Sequence, residues 1–99
     1  MKRKSMKRGQ LEIIYEILSI CREPAYKTRV LYKCNLSHEQ LMRYLNYLMN
    51  RSLLCTVEGS QKKLFQITEK GRKFIEGYEN LNGIMGKTVY NVSREPGNQ

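Results

Sequence analysis

Ser37-His-Glu-Gln-Leu-Met-Arg-Tyr-Leu-Asn-Tyr-Leu-Met-Asn50 carries two independent helix signals. Ser37 and Gln40 have capping-box spacing, in which the serine hydroxyl accepts from the third helical amide and the glutamine reaches back to the serine amide. Leu41, Leu45 and Leu48 then recur at helical spacing, with Tyr44 at the margin of their stripe. Glu39, Arg43, Asn46 and Asn50 fall opposite, flanked by Gln40, Met42 and Tyr47. The spacing predicts a helix over 37–50 with one face for a core and one face for water or a polar partner.

Upstream, Asn35-Leu36 reads as a tight turn, because asparagine tolerates the left-handed backbone that ends helices. A short helix over about 27–34 precedes it, with Val30, Leu31 and Cys34 as its apolar face. Glu23-Pro24 breaks the chain before that. A first helix over 11–21 then shows Leu11, Ile14, Leu18 and Cys21 in one stripe, which Ile17 widens. Ile13 and Ile20 lie off it, so this helix is expected to be covered on more than one side.

Downstream, Leu53–Glu58 and Lys63–Thr68 are apolar and β-branched runs flanking Gly59-Ser-Gln-Lys62. Together they read as a hairpin with a basic tip. Thr68 can cap a last helix, with Glu69 at the positive end of its dipole. In that helix Phe74, Tyr78, Leu81 and Met85 follow at spacings of a coiled-coil seam. Gly77, Gly83 and Gly86 weaken it, so fraying is expected beyond Asn82. The fold class that follows is mainly α with a small β-hairpin, in the order helix, helix, helix, strand, strand, helix. It divides into a basic flexible arm (1–8), a folded domain (9–68), a C-terminal helix (69–86) and a flexible tail (87–99).

Ninety-nine residues suffice for one domain, and 18 basic against 9 acidic side chains leave a formal charge of +9. Such an excess repels itself on folding, which points to a polyanionic partner. Lys2, Arg3, Lys4, Lys7 and Arg8 concentrate it at the start, as either a solvated terminus or a phosphate-binding arm. Cys21, Cys34 and Cys55 lie far apart and His38 is the sole histidine, so no metal-ligand spacing exists and no cofactor is expected. Three apolar-context cysteines suit buried thiols in a reducing cytoplasm. The sequence shows no signal-peptide pattern and no apolar run near the ~20 residues that span a bilayer. No nucleophile, base or glycine-rich phosphate loop is in place for catalysis, so an enzyme is not expected.

A short helix turned tightly onto a longer one with a polar outer face is the arrangement that enters a DNA major groove, which is about 12 Å wide. Ser37, His38, Gln40, Arg43, Asn46 and Tyr47 are the candidate contacts on the longer helix. Arginine can bond guanine, and asparagine or glutamine adenine. Lys27 and Arg29 from the second helix, and Gln61, Lys62 and Lys63 from the hairpin, would contact the backbone or minor groove. Taken alone, the polar face reads more readily as that of a solvated surface helix. The basic hairpin beside it favours DNA.

In Leu11-Glu-Ile-Ile14, Lys27-Thr-Arg-Val-Leu-Tyr32, Asn35-Leu-Ser-His-Glu-Gln-Leu41, Tyr44-Leu45, Leu53-Leu54 and Thr68-Glu-Lys-Gly-Arg72 the chain resembles the archaeal winged-helix DNA-binding proteins. These include small ones that dimerise through an antiparallel C-terminal coiled coil. The resemblance spans about residues 9–80. It implies a winged helix-turn-helix fold, a recognition helix at 37–50, a wing at 59–63 and a homodimer joined through Phe74, Tyr78, Leu81 and Met85. The short, glycine-interrupted last helix departs from the long one the family can have. The expected protein is a double-stranded DNA-binding transcription regulator, cytoplasmic and nucleoid-associated. The alternatives are a protein-docking winged-helix module, presenting Tyr26, Tyr32 and other tyrosines, or a non-specific nucleoid-packing protein.

Overall fold

The computed structural model describes residues 8–84; residues 1–7 and 85–99, which include Met85, Gly86 and the expected tail, lie outside the described residues. The elements are α1 (Gln10–Ile20), α2 (Lys27–Cys34), α3 (His38–Asn50), β1 (Leu54–Glu58), β2 (Lys63–Ile67) and α4 (Glu69–Ile84).

Local chemistry sets the boundaries. Asn35 takes a left-handed conformation (φ 55°, ψ 50°), and its amide donates to the Leu31 carbonyl at 3.0 Å, ending α2. Both bonds of the Ser37–Gln40 capping box form, each at 3.1 Å. Leu53 does not join the strand expected from 53. Its amide donates to the Leu48 carbonyl at 2.8 Å, closing the end of α3, so β1 begins at Leu54. Thr68 likewise leaves β2 to work as a cap: its Oγ1 accepts from the Gly71 amide at 3.0 Å and donates to the Ser52 carbonyl at 2.6 Å. Gly71 is required there, since a Cβ would lie 2.5 Å from the Leu53 carbonyl oxygen and 2.6 Å from Ile67 Cγ1.

β1 and β2 pair antiparallel in the register Leu54↔Ile67 to Glu58↔Lys63. The connection closes through a 3.0 Å bond from the Gly59 amide to the Lys62 carbonyl, and a Cβ on Gly59 would come within 2.4 Å of that oxygen. The outer edge of β2 is also occupied. Ala25 and Phe65 exchange backbone bonds of 2.9 and 2.8 Å, and the Ile67 amide donates to the Cys21 carbonyl at 2.8 Å. The connector from α1 to α2 therefore acts as a one-residue third strand. No periodicity in the sequence could announce so short a pairing.

The core gathers Ile17, Leu18, Val30, Leu41, Leu45 and Leu48 from the first three helices, closed by Leu54, Ile67 and Ile75. The stripe expected on α1 holds at Ile14, Leu18 and Cys21 but fails at Leu11, which is 57% exposed. Leu11 sits in the first turn beside the flank of α3, while Ile13, on the adjoining face, is buried instead. Cys21 and Cys34 are fully buried, and burial pushes their thiols up to about 12 and about 11. Both therefore stay protonated and unreactive at neutral pH. Cys55 departs from the expectation of three buried thiols: it is half-buried, opposite Gln66 in the hairpin ladder.

Two polar clasps fix the periphery. Arg8, the last residue of the expected arm, pairs with Glu16 and donates from Nη2 to the Cys34 carbonyl at 2.6 Å, so it caps α2. Burial raises the Glu16 carboxyl above its ordinary value, and Arg8 opposes that rise. On the other side α4 is fastened to α1. The Tyr15 and Tyr78 rings stack with centroids 4.6 Å apart, and Tyr15 Oη donates to Glu79 Oε2 at 2.7 Å. That bond, followed by burial, raises the phenol's pKa and keeps it a donor. Arg22 reaches the same carboxylate oxygen at 3.2 Å. α4 runs to Ile84, two residues past Asn82, beyond which fraying was expected.

Candidate nucleic-acid interface

α3 presents Arg43, Asn46 and Asn50 on the side opposite its buried leucines, all exposed. A depression lies along each flank. On one flank Met42 faces a groove of about 350 Å³ bordered by Tyr26, Lys27 and Thr28 from the start of α2 and by Lys62 and Lys63 from the hairpin. The Ala25–Phe65 pairing makes this groove, since it ties the residue just before α2 to the strand that begins at Lys63. Lysines 35 residues apart in sequence are thereby brought to one rim. The main-chain amides of Lys27 and Thr28 open toward the same end of α2, whose N-cap, Tyr26, makes no side-chain cap bond.

On the other flank a notch of about 380 Å³ separates α3 from the first turns of α1. Leu11 and Ile14 form its α1 wall, and Gln40, Arg43, Tyr44 and Tyr47 its α3 wall. Of the other expected contacts, Ser37, His38 and Gln61 are exposed. Gln40 is partly committed, because its Oε1 accepts from the Ser37 amide, which leaves its NH₂ group and one oxygen lone pair for a ligand. Arg29 does not join the lysine groove. It borders a separate depression with Arg22, Glu23 and Pro24.

Sequence reading missed Arg51. This exposed C-cap residue of α3 holds its guanidinium 4.9 Å from the centroid of the Tyr47 ring. The signal was available in the i, i+4 spacing of tyrosine and arginine. Across α2, α3 and the hairpin the charges are Lys27, Arg29, Lys33, Arg43, Arg51, Lys62 and Lys63 against Glu39 and Glu58. On α4 they balance, with Glu69, Glu76 and Glu79 beside Lys70, Arg72 and Lys73. The positive surplus of the described residues is therefore concentrated around α3. Among the described residues no group of three His, Cys, Asp or Glu side chains could hold a metal ion. No helix of the described residues is long and apolar enough to cross a membrane.

Three helices, the third reached by a tight turn, followed by a hairpin and a fourth helix, match the family model for the winged helix-turn-helix over residues 7–86. The chain belongs to the winged helix-turn-helix family. In the terms of that fold the β1–β2 hairpin is the wing. Archaeal relatives agree with the sequence reading. Uncharacterized protein MJ0287 of Methanocaldococcus jannaschii is 34% identical over 80 residues, covering 80% of this chain and 78% of that one. The chain is also similar to the crystal structure of Sso10a-2, a DNA-binding protein from Sulfolobus solfataricus. The two share 28% identity at a TM-score of 0.63, with 90% of this chain and all of that one covered. F93 from STIV, a winged-helix DNA-binding protein, shares the fold at a TM-score of 0.64 and 23% identity, over 83% of this chain and 99% of that one.

Proposed function

We propose that this winged helix-turn-helix chain binds double-stranded DNA and serves as a transcription regulator, with α3 in the major groove and the wing on the adjoining backbone or minor groove. The observation that carries this reading is the lysine groove: Lys27 of α2 and Lys62 and Lys63 of the wing converge on the flank of α3. Lysines placed for solubility alone have no reason to share a rim. With α3 along the groove floor, these ammonium groups meet the phosphates of the strand beside it. Arg43 and Asn46 face the base edges, where a regulator needs donors and acceptors. Sso10a-2 and F93, both DNA-binding by name, support the same class of partner.

The test is fluorescence anisotropy of a labelled random-sequence duplex across salt concentrations. Binding is expected to weaken with a log–log slope of about −0.9 per phosphate neutralised. No binding at low salt would sink the reading and shift the assignment to protein docking, for which Tyr32, 81% exposed on α2, is the obvious anchor. A regulator should then prefer one sequence over random duplex. Equal affinity for all sequences would mean packing.

The same reading includes a homodimer through α4. Phe74 and Tyr78 are half-buried against their own domain, so the stripe left for a partner is Leu81 (54% exposed) with Ile84 (80% exposed). Gly77 lies one turn before Leu81 with open space around it, which lets a second helix approach closely. A two-fold dimer would present two recognition helices to a palindromic site. Light scattering at tens of micromolar is expected to give twice the 11.7 kDa chain mass, and a monomer would refute this part.

A further inference from the structure

The notch between α1 and α3 has no assigned role, and folding explains neither Leu11 in its wall nor Arg51, which stacks on Tyr47 at its edge. Leu11 lies largely exposed where the helix pattern calls for burial, and Arg51 lies against Tyr47 rather than against a carboxylate. The ion pairs among the described residues join Arg8 to Glu16 and Arg22 to Glu79, so Arg51 keeps its full charge for an outside anion. Tyr47 lines the notch from α3, and Arg51 follows it by one helical turn, with its guanidinium over the Tyr47 ring.

We infer that this notch seats the sugar–phosphate backbone of the DNA strand opposite the wing, with Arg51 as its principal phosphate contact and Tyr47 as the residue that positions Arg51. The inference deepens the DNA reading above and rests on it. A helix lying in a major groove has a row of phosphates on each side, and the lysine groove accounts for only one row. The notch provides what the second row requires. Arg51 offers a planar guanidinium whose fork matches phosphate oxygens. Its stacking on Tyr47 fixes that fork before DNA arrives, which reduces the side-chain entropy lost on binding. Leu11 and the Tyr47 ring supply an apolar wall at the height of the deoxyriboses, which accounts for a leucine left in water. Tyr47, expected from the sequence to touch DNA directly, acts through Arg51 instead.

The test compares Arg51→Gln, Tyr47→Phe and Tyr47→Leu with the unaltered chain on one duplex across salt. Both positions are exposed, so circular dichroism should show all variants folded. Arg51→Gln is expected to weaken binding about tenfold on every sequence and flatten the salt slope by about 1. Tyr47→Phe keeps the ring face and should bind as the unaltered chain does. Tyr47→Leu should reproduce part of the Arg51→Gln loss, and the double variant should be no weaker than Arg51→Gln alone. An unchanged slope in Arg51→Gln, or Tyr47→Leu and Arg51→Gln losses that simply add, overturns the inference while leaving DNA binding intact. Absence of salt-dependent binding by the unaltered chain would instead overturn the DNA reading itself.

Discussion

Leu45→Ala should lower the unfolding free energy by about 3 kcal/mol, within the range of about 2–5 for a leucine truncated in a packed core. Leu45 is 1% exposed and stands midway along the buried face of α3, between Leu41 and Leu48. Its removal opens a cavity that the neighbouring leucines cannot fill without leaving their own contacts. Native stabilities lie at about 5–15 kcal/mol, and a domain this small should sit toward the lower end. The variant is thus expected to have a visible unfolded fraction at room temperature. In urea the midpoint should fall by about 1.5–3 M, given a slope near 1–2 kcal/mol per M for a small domain. Asn46→Ala on the opposite, exposed face should move it by no more than about 0.5 kcal/mol. A Leu45→Ala midpoint close to that of Asn46→Ala would mean that α3 is not seated as described. The same change should weaken DNA binding only through the unfolded fraction, so saturating duplex should restore part of the lost stability by mass action.

The contrast between Leu45 and Leu11 shows how far the sequence could be read. At the helix ends the local signals and the structure agree: the Ser37–Gln40 box, the left-handed Asn35 and the bond from the Gly71 amide to Thr68 each concern neighbours within four positions. Repetition was equally legible on α3, because three leucines at helical spacing admit one burial direction. Leu11 belongs to a stripe of the same form, yet it is exposed. Periodicity says that a face is shared but not how far along the helix the partner extends. The lysine groove depends on the Ala25–Phe65 pairing, a contact 40 residues apart in sequence that no local pattern contains. For the same reason Arg29 was grouped with Lys27 by proximity in sequence, whereas the helix turns it toward Pro24. Tyr78 was assigned to a partner chain because its spacing suits a coiled coil. Its ring is instead stacked on Tyr15, a contact no one-dimensional pattern contains.

The largest effect on binding is expected from the triple change Lys27→Ala, Lys62→Ala and Lys63→Ala. If each ammonium neutralises a phosphate, the salt slope should flatten by about 2–3 and low-salt affinity should drop on the order of a thousandfold. The loss should be the same for every sequence, because phosphates carry no base information. Arg43→Ala, facing the groove floor, should cost about 1–3 kcal/mol at a preferred site and little on random duplex. The two variants thus separate affinity from specificity on one scaffold. Lys62 and Lys63 are exposed and Lys27 is half-buried, so the fold should survive, which thermal melts will verify. The position of Lys27 makes the test discriminating. A wing acting alone would leave Lys27→Ala silent, whereas a phosphate held between wing and α2 makes it as damaging as Lys62→Ala. It also makes the two losses less than additive, since either removal loosens the same phosphate.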